Sequence, residues 1–447
     1  MTPQIRNAIG RPLAAAAIAA AAIAGAPETH GSSGTEAMDR IAEQYVKLVL
    51  RVGQHDADYV DAYYGPPEWR PGKEAPPVPL EALRAEVAQV RQAIAALPRP
   101  AEEMPALRHE FLARQSRAVE ARLRMLQGER LPFDEESRLL YDAVAPTHPA
   151  SYFSATLAEL ERQLPGEGPL TARYEAFKQD FIIPKEKLDA VFTAAIDACR
   201  TRTRAHIELP ANERFTLEYV TGKPWSGYNW YQGGAASLIQ INTDLPIYID
   251  RAIDLACHEG YPGHHAYHML IEEHLVRKRG WVEFSVYPLF APQSLIAEGT
   301  ANFGIEVAFP GGERLAFERE RLFPLAGIEA ARADEYYAVL QLAERLSYAQ
   351  NEAARGYLDG RMTRDEAVAW LEQYAMSERQ RAEQRVRFIE RYRSYVINYN
   401  LGKDLVRQYI ESRGGTPDRP EQRWQEFAAL LSSPRLPSGL TGTGAQR

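Results

Sequence analysis

Apolar residues recur along most of the chain at spacings of three and four. Met38, Ile41, Tyr45, Leu48 and Val52 fall on one face of a helix that the pattern predicts from Glu36 onward. Leu80 to Leu97 reads as a second helix, ended by Pro98 and Pro100, and Met104 to Gln127 as a third, closed by Gly128. Leu157 to Leu164 is a short amphipathic piece stopped by Pro165, and Pro184 opens a helix that runs to about Arg204. Gly65-Pro66-Pro67 and Pro76-Pro77 mark loops. The texture then changes. Phe215 to Val220 and Ala236 to Asn242 alternate in β-forming residues, with Gly233-Gly234 just before the second run. Helical spacing resumes at Ile247 and persists to about Gly414. The expected fold is therefore mostly α: a large helical domain with a small β-sheet set next to the segment that starts at Ile247.

The two ends read differently. Arg6 and Arg11 precede an unbroken apolar run from Leu13 to Gly25, and Ala24-Gly25-Ala26 supplies small residues at its end. That is the layout of a secretory signal, and the run is too short for a membrane span of about 20 residues. The expected organisation is a signal peptide over 1–26, a linker over 27–35, a helical domain over 36–431 (divisible into lobes 36–205 and 206–431), and a disordered tail over 432–447. The mature protein is expected in the periplasm or outside the cell, with no membrane attachment.

Composition narrows the function by exclusion. The 447 residues are 45% hydrophobic and 25% charged, as in ordinary globular proteins. A net charge of −8 argues against nucleic-acid binding, which needs excess Lys and Arg. Cys199 and Cys257 are the only cysteines. Two do not make a disulfide framework; Cys257, directly before His258, reads as a buried apolar side chain, with a metal-binding thiolate as the alternative.

The histidines carry the chemistry. Five of the ten lie between His258 and His274. The segment opens His258-Glu259, like the metal-binding pattern H-E-x-x-H, in which two histidines one turn apart bind zinc and the glutamate activates water. Here the next histidines, His264 and His265, come six and seven residues later. Six residues turn a helix by about 600°, which leaves the side chain about 120° off the face; seven bring it back but about 10 Å along the axis. A regular helix cannot chelate with either pair. Pro262 and Gly263 offer the remedy, because proline breaks the hydrogen-bond ladder and glycine accepts unusual angles. A bulge there would return His264 to the place of a second ligand; a regular helix would remove His264 and leave His265 or another residue to be considered. Glu298, 34 residues past His264, is the candidate third ligand. Asn302, one turn on, is placed to support a ligating histidine, and Glu306 is a further outer candidate. His268 and His274 read as bystanders.

The stretch His258-Glu259-Gly260-Tyr261-Pro262-Gly263-His264-His265 resembles the signature His-Glu-x-Tyr-Pro-Gly-His-His of the bacterial family called domain of unknown function 885. Glu298-Gly299-Thr300-Ala301 is similar to that family's downstream Glu-Gly-Trp-Ala, with Thr300 in place of Trp. Tyr399-Asn400-Leu401-Gly402 resembles its C-terminal Tyr-x-x-Gly. The family groups with zincin peptidases whose third ligand is glutamate, such as thimet oligopeptidase and carboxypeptidase Taq. The resemblance implies a zincin-like fold with a deep cleft, zinc held by His258, His264 and Glu298, and Glu259 as general base on a peptide substrate. Tyr399, Tyr395 and Tyr261 are candidates to stabilise the oxyanion, Tyr399 first among them, and Arg391 and Arg393 to bind a substrate carboxylate. The strand from Ser237 to Asn242 is a candidate edge for a peptide added as a further strand. The rival readings are a zinc hydrolase of a non-peptide amide or ester, and a non-catalytic helical binding protein with a relic metal site.

Overall fold

A computed structural model of the chain describes residues 30–441 except residue 73. The first half comprises helices α1 (His30–Val52), α2 (Leu80–Ala96), α3 (Glu103–Leu126), α4 (Phe133–Tyr141), α5 (Ala150–Gln163), α6 (Leu170–Lys178) and α7 (Leu188–Arg204), with a short strand β1 (Val60–Tyr63) after α1. Strands β2 (Arg214–Val220), β3 (Gly227–Gly233) and β4 (Ala236–Asn242) follow. Then come α8 (Asp250–Leu255), α9 (His264–Ile271), strand β5 (Val286–Pro288), α10 (Pro292–Ala308), α11 (Glu313–Phe317), α12 (Phe323–Ala326), α13 (Ala333–Glu344), α14 (Ala349–Leu358), α15 (Arg364–Tyr374), α16 (Arg379–Tyr392), α17 (Ile397–Ser412) and α18 (Pro420–Leu431). The expected architecture holds: helices dominate and a small sheet lies beside the histidine-rich segment. Met38, Ile41, Tyr45, Leu48 and Val52 are all buried, as their spacing requires.

One continuous core takes side chains from Met38 through to Leu440, so the two halves share an interior and do not separate into lobes near residue 205. Smaller clusters around Phe153 and Val368 sit under the helices from α5 to α16. The closest helix crossing is between α10 and α17. A Cβ on Gly299 would lie 2.5 Å from the carbonyl carbon of Gly402, and one on Gly402 would lie 2.8 Å from the carbonyl oxygen of Leu295. Two glycines are therefore what lets these backbones meet.

Several expectations are corrected. Residues 30–35 belong to α1, not to a linker, because extending an anchored helix costs less than nucleating one; residues 27–29 lie outside the described residues, as does the expected signal at 1–26. The expected tail from Ser432 is packed as far as Leu440: Leu436 and Leu440 are buried in the main core, and the Ser438 N–H donates to Asp142 Oδ2 at 3.3 Å. Residues 442–447 lie outside the described residues. The larger sheet has the order β2-β4-β3, with β2 parallel and β3 antiparallel to β4. The strand from Ser237 to Asn242 is thus central and offers no edge. β1 and β5 form a separate antiparallel pair. Cys199 and Cys257 are joined in a disulfide that ties α7 to the turn carrying His258, with Cα atoms 5.6 Å apart. Among the described residues no helix is long and apolar enough to cross a membrane.

Candidate metal centre

The helix that begins at Asp250 does not run straight through the histidine motif. After Leu255 it widens into a π-turn over Ala256–Gly260, in which the Tyr261 N–H reaches back five residues to the Ala256 carbonyl at 3.3 Å. Tyr261 is extended (φ −128°, ψ 123°), the Tyr261–Pro262 peptide is cis, and α9 restarts at His264. The Gly263 N–H donates to the Cys257 carbonyl at 2.9 Å, and a Cβ on Gly263 would collide with the carbonyls of His258 and Cys257. The break absorbs the two surplus residues. His264 returns to face His258, as the proline–glycine pair predicts, while His265 turns into the core.

Three side chains converge as a result. His258 Nε2 and His264 Nε2 are 3.1 Å apart, His258 Nε2 is 3.2 Å from Glu298 Oε2, and His264 Nε2 is 3.7 Å from Glu298 Oε1. Ligand atoms at the corners of a tetrahedron with bonds of about 2.0–2.1 Å are about 3.3 Å apart. The trio has that spacing, and each residue offers one ligand atom within 4.8 Å of the others. Glu298 Oε2 is buried and has no hydrogen-bond donor apart from the candidate ligand His258 itself, 3.2 Å away. A carboxylate oxygen so placed is costly in a core and fits a position reserved for a cation. The donor set of two imidazoles and one carboxylate is that of catalytic zinc sites, which keep a further position open.

The supporting contacts fix these ligands. Asn302 Nδ2 donates to the Tyr399 carbonyl at 3.1 Å, so its Oδ1 is left to accept from His258 Nδ1–H at 3.1 Å. That assigns the proton to Nδ1 and turns the Nε2 lone pair toward the centre. The Tyr395 hydroxyl donates to Glu298 Oε1 at 2.7 Å. On the far side of the motif, buried Glu213 accepts from Tyr261 and Arg200 and lies 3.5 Å from His265 Nε2, while Ser237 Oγ and His265 Nδ1 are 2.7 Å apart. Burial would raise the Glu213 carboxyl, but His265, Tyr261 and Arg200 together hold it down at about 2. His265 and Tyr261 are thus braces beneath the break, and Tyr261 is removed from the candidates for oxyanion contact.

Charges in the metal-free site are strongly perturbed. Burial works against a charged His258, but its hydrogen bond to Glu298 and the charges of Glu259 and Glu298 raise it to about 9. Burial lowers His264 to about 4. Glu259 is 4% exposed; burial, with the charge of Glu298, raises its carboxyl to about 7 despite His258 and Arg251. The Asn229 amide of β3 donates to the Glu259 carbonyl at 2.6 Å, and Gly227 lies so close that a Cβ there would sit 2.7 Å from Glu259 Oε1.

Other expected residues are placed elsewhere. Glu306 pairs with Lys403 at 2.9 Å and Arg407 at 2.6 Å, joining α10 to α17 away from the trio. Arg391 is bonded to Asp58 and Arg393 to Glu136, so neither guanidinium is left for a substrate carboxylate. His268 is buried and stacks on Tyr231. Tyr399 remains in place: its ring is 6.4 Å from that of His258, and its hydroxyl is raised by burial and by the charges of Glu298 and Glu259. Sequence reasoning passed over Asp61 on β1, which accepts from the Tyr228 hydroxyl and is raised by burial and by the charges of Glu298 and Glu259. It also passed over Arg251 and Arg385, which no local pattern separates from their many neighbouring arginines.

No family model matches the chain, and no curated protein matches it. Among solved structures it is similar to "the putative lipoprotein from Colwellia psychrerythraea", at 15% identity and a TM-score of 0.50, over 83% of this chain and 69% of that one. At that identity the likeness is one of fold.

Proposed function

We propose that the protein is an exported zinc peptidase. One observation carries the reading: His258 Nε2, His264 Nε2 and the Glu298 carboxylate converge at tetrahedral spacing beside a buried Glu259. When bound, zinc supplies a Lewis acid that polarises a peptide carbonyl and acidifies water. Glu259, buried beside the trio, takes the proton of the attacking water and returns it to the leaving amine. The Tyr399 hydroxyl donates to the developing oxyanion. β3, an outer strand with Gly227 against Glu259, replaces β4 as the element along which an extended peptide lies. The likeness of the motif to domain of unknown function 885 supports the same reading. Export is supported by the apolar leader and by the Cys199–Cys257 disulfide, which persists in oxidising compartments.

The test is zinc content by mass spectrometry together with cleavage of a mixed peptide library. About one zinc per chain and discrete cleavage products are expected. Less than about half a zinc per chain, with no cleavage after zinc is added, refutes the reading. Glu259→Gln should keep the zinc and lower turnover by about 10²–10⁴-fold.

A further inference from the structure

A cavity of about 190 Å³ lies beside the metal centre, between the sheet, α8 and α16. Its lining carries three cations, Lys178, Arg251 and Arg381, against one acid, Asp250. Asp250 already accepts from the Tyr336 hydroxyl at 2.6 Å. Arg381 donates to the Pro246 carbonyl at 2.9 Å, yet its buried Nε has no partner. Arg251 is bonded to Asp254 at 2.9 Å, but Asp254 is also held by Arg314 at 2.8 Å, so one carboxylate serves two guanidiniums. Lys178 is paired with Glu175 at 3.2 Å, so the charge left unmet lies with Arg251 and Arg381.

The cavity lies close to the reacting groups. Ser226 and Leu255 line it, and a Cβ on Gly227, next to Ser226, would lie 2.8 Å from Leu255 Cδ2 and 2.7 Å from Glu259 Oε1. Arg251 acts electrostatically on His258 and Glu259. One helical turn after Arg381, on the same face of α16, stands Arg385. It is partly buried, its guanidinium lies 5.1 Å from the Phe388 ring, and its electrostatic neighbours are Tyr399 and Arg251. Among the described residues it has no hydrogen bond and no carboxylate partner. A partly buried guanidinium without a counter-charge is expensive, and a site that keeps one beside a reactive centre is arranged for an anion.

We propose that a carboxylate of the substrate is held between Arg251, on the wall of this cavity, and Arg385, which stands just outside the lining one turn beyond Arg381. What is cut rests on the peptidase reading; what is held rests on these two guanidiniums. Two sources share the chemistry, a peptide's terminal carboxylate and an acidic side chain near the scissile bond.

Calorimetry with the zinc-loaded Glu259→Gln variant separates binding from turnover. Three probes are compared: N-acetyl-tetra-alanine as the free acid, its C-terminal amide, and an amide in which the last residue is glutamate. The free acid should bind at least about tenfold tighter than the plain amide. Adding Arg385→Gln should erase that difference and leave the plain amide unchanged, with zinc content retained. Recovery of tight binding by the glutamate amide identifies a side-chain carboxylate as an accepted source; failure to recover identifies the terminal carboxylate. Equal binding of acid and plain amide, no binding of any probe, or an Arg385→Gln variant that weakens both alike overturns the proposal. The first comparison needs no change at Arg385, so a folding defect in that variant does not shield it. A preference for the acid in an enzyme whose unsubstituted form cleaves no peptide would instead overturn the peptidase reading and leave the subsite standing.

Discussion

The titration of His258 alone should make zinc bind about fiftyfold more tightly at pH 9 than at pH 7. His258 must be neutral at Nε2 to ligate, and in the metal-free protein Glu298 and Glu259 hold it protonated up to about 9. Its neutral fraction is then about 1% at pH 7 and about one half at pH 9, a difference of about 2 kcal/mol in apparent binding free energy. His264, lowered to about 4, adds nothing across that range. Glu259 titrates near 7, and a cation beside it drives its proton off. The release on zinc uptake should therefore be about one proton per metal between pH 7 and 9, rising toward two below 7, and vanishing above 9. The His258–Glu298 pair has the opposite consequence for the metal-free fold. A raised imidazole stabilises fully below its unfolded value of about 6.5 and loses that contribution as pH rises through 9. The assay is zinc competition against a chelator of known protonation at half-unit steps, with proton release read in weakly buffered solution. An affinity that is flat from pH 7 to 9 after the chelator's own titration is removed would sink the argument. His258 would then be neutral in the metal-free protein, or would not be a ligand.

Asn302→Leu removes the acceptor on His258 Nδ1 and should weaken zinc about 10–100-fold in the same competition assay, without changing the stoichiometry; an unchanged affinity would mean that the tautomer is set otherwise. Gly299→Ala places a methyl 2.5 Å from the Gly402 carbonyl carbon and should cost about 1–3 kcal/mol in chemical denaturation, with a loss of zinc affinity because Glu298 is its neighbour. A stable, fully loaded variant would contradict the close crossing. Replacing both Cys199 and Cys257 by alanine opens a loop whose ends are 58 residues apart, worth about 4 kcal/mol on the chain-entropy account. The melting temperature should fall, and reductant should lower it in the parent protein but not in the variant.

The helices were legible because a buried stripe repeats every three to four residues; α2 and α3 begin and end within a residue of their sequence signals, while α1 starts well before the expected Glu36. β3 was missed because Gly-Tyr-Asn-Trp-Tyr-Gln-Gly mixes glycine, amide and aromatic side chains without a clear alternation, and β1 and β5 because four and three residues carry no period. β2 and β4 were both found, but neither their pairing nor the place of β3 was: strand order is decided by tertiary pairing. At the metal centre, helical arithmetic required a break at Pro262-Gly263 and the chain has one. The same arithmetic turns Glu306 about 80° away from Glu298, toward the cations of α17. Arg391 and Arg393 were misread because Asp58 and Glu136, which hold them, lie hundreds of residues away in the chain. The disulfide was hidden for the same reason, since each cysteine sits in an ordinary apolar helical stretch.

The Asn302 amide, which joins His258 to the backbone of Tyr399, makes the site non-portable. The candidate ligands all fall between His258 and Glu298, a stretch short enough to tempt grafting onto another scaffold. Yet the groups that aim them lie outside that stretch on both sides: Cys199 anchors the turn from before it, and Tyr395 and Tyr399 hold Glu298 and Asn302 from well after it. A fragment that keeps every ligand but stops before α17 should bind zinc poorly. Recombination that exchanges this segment between distant homologues should fail unless the C-terminal helices travel with it.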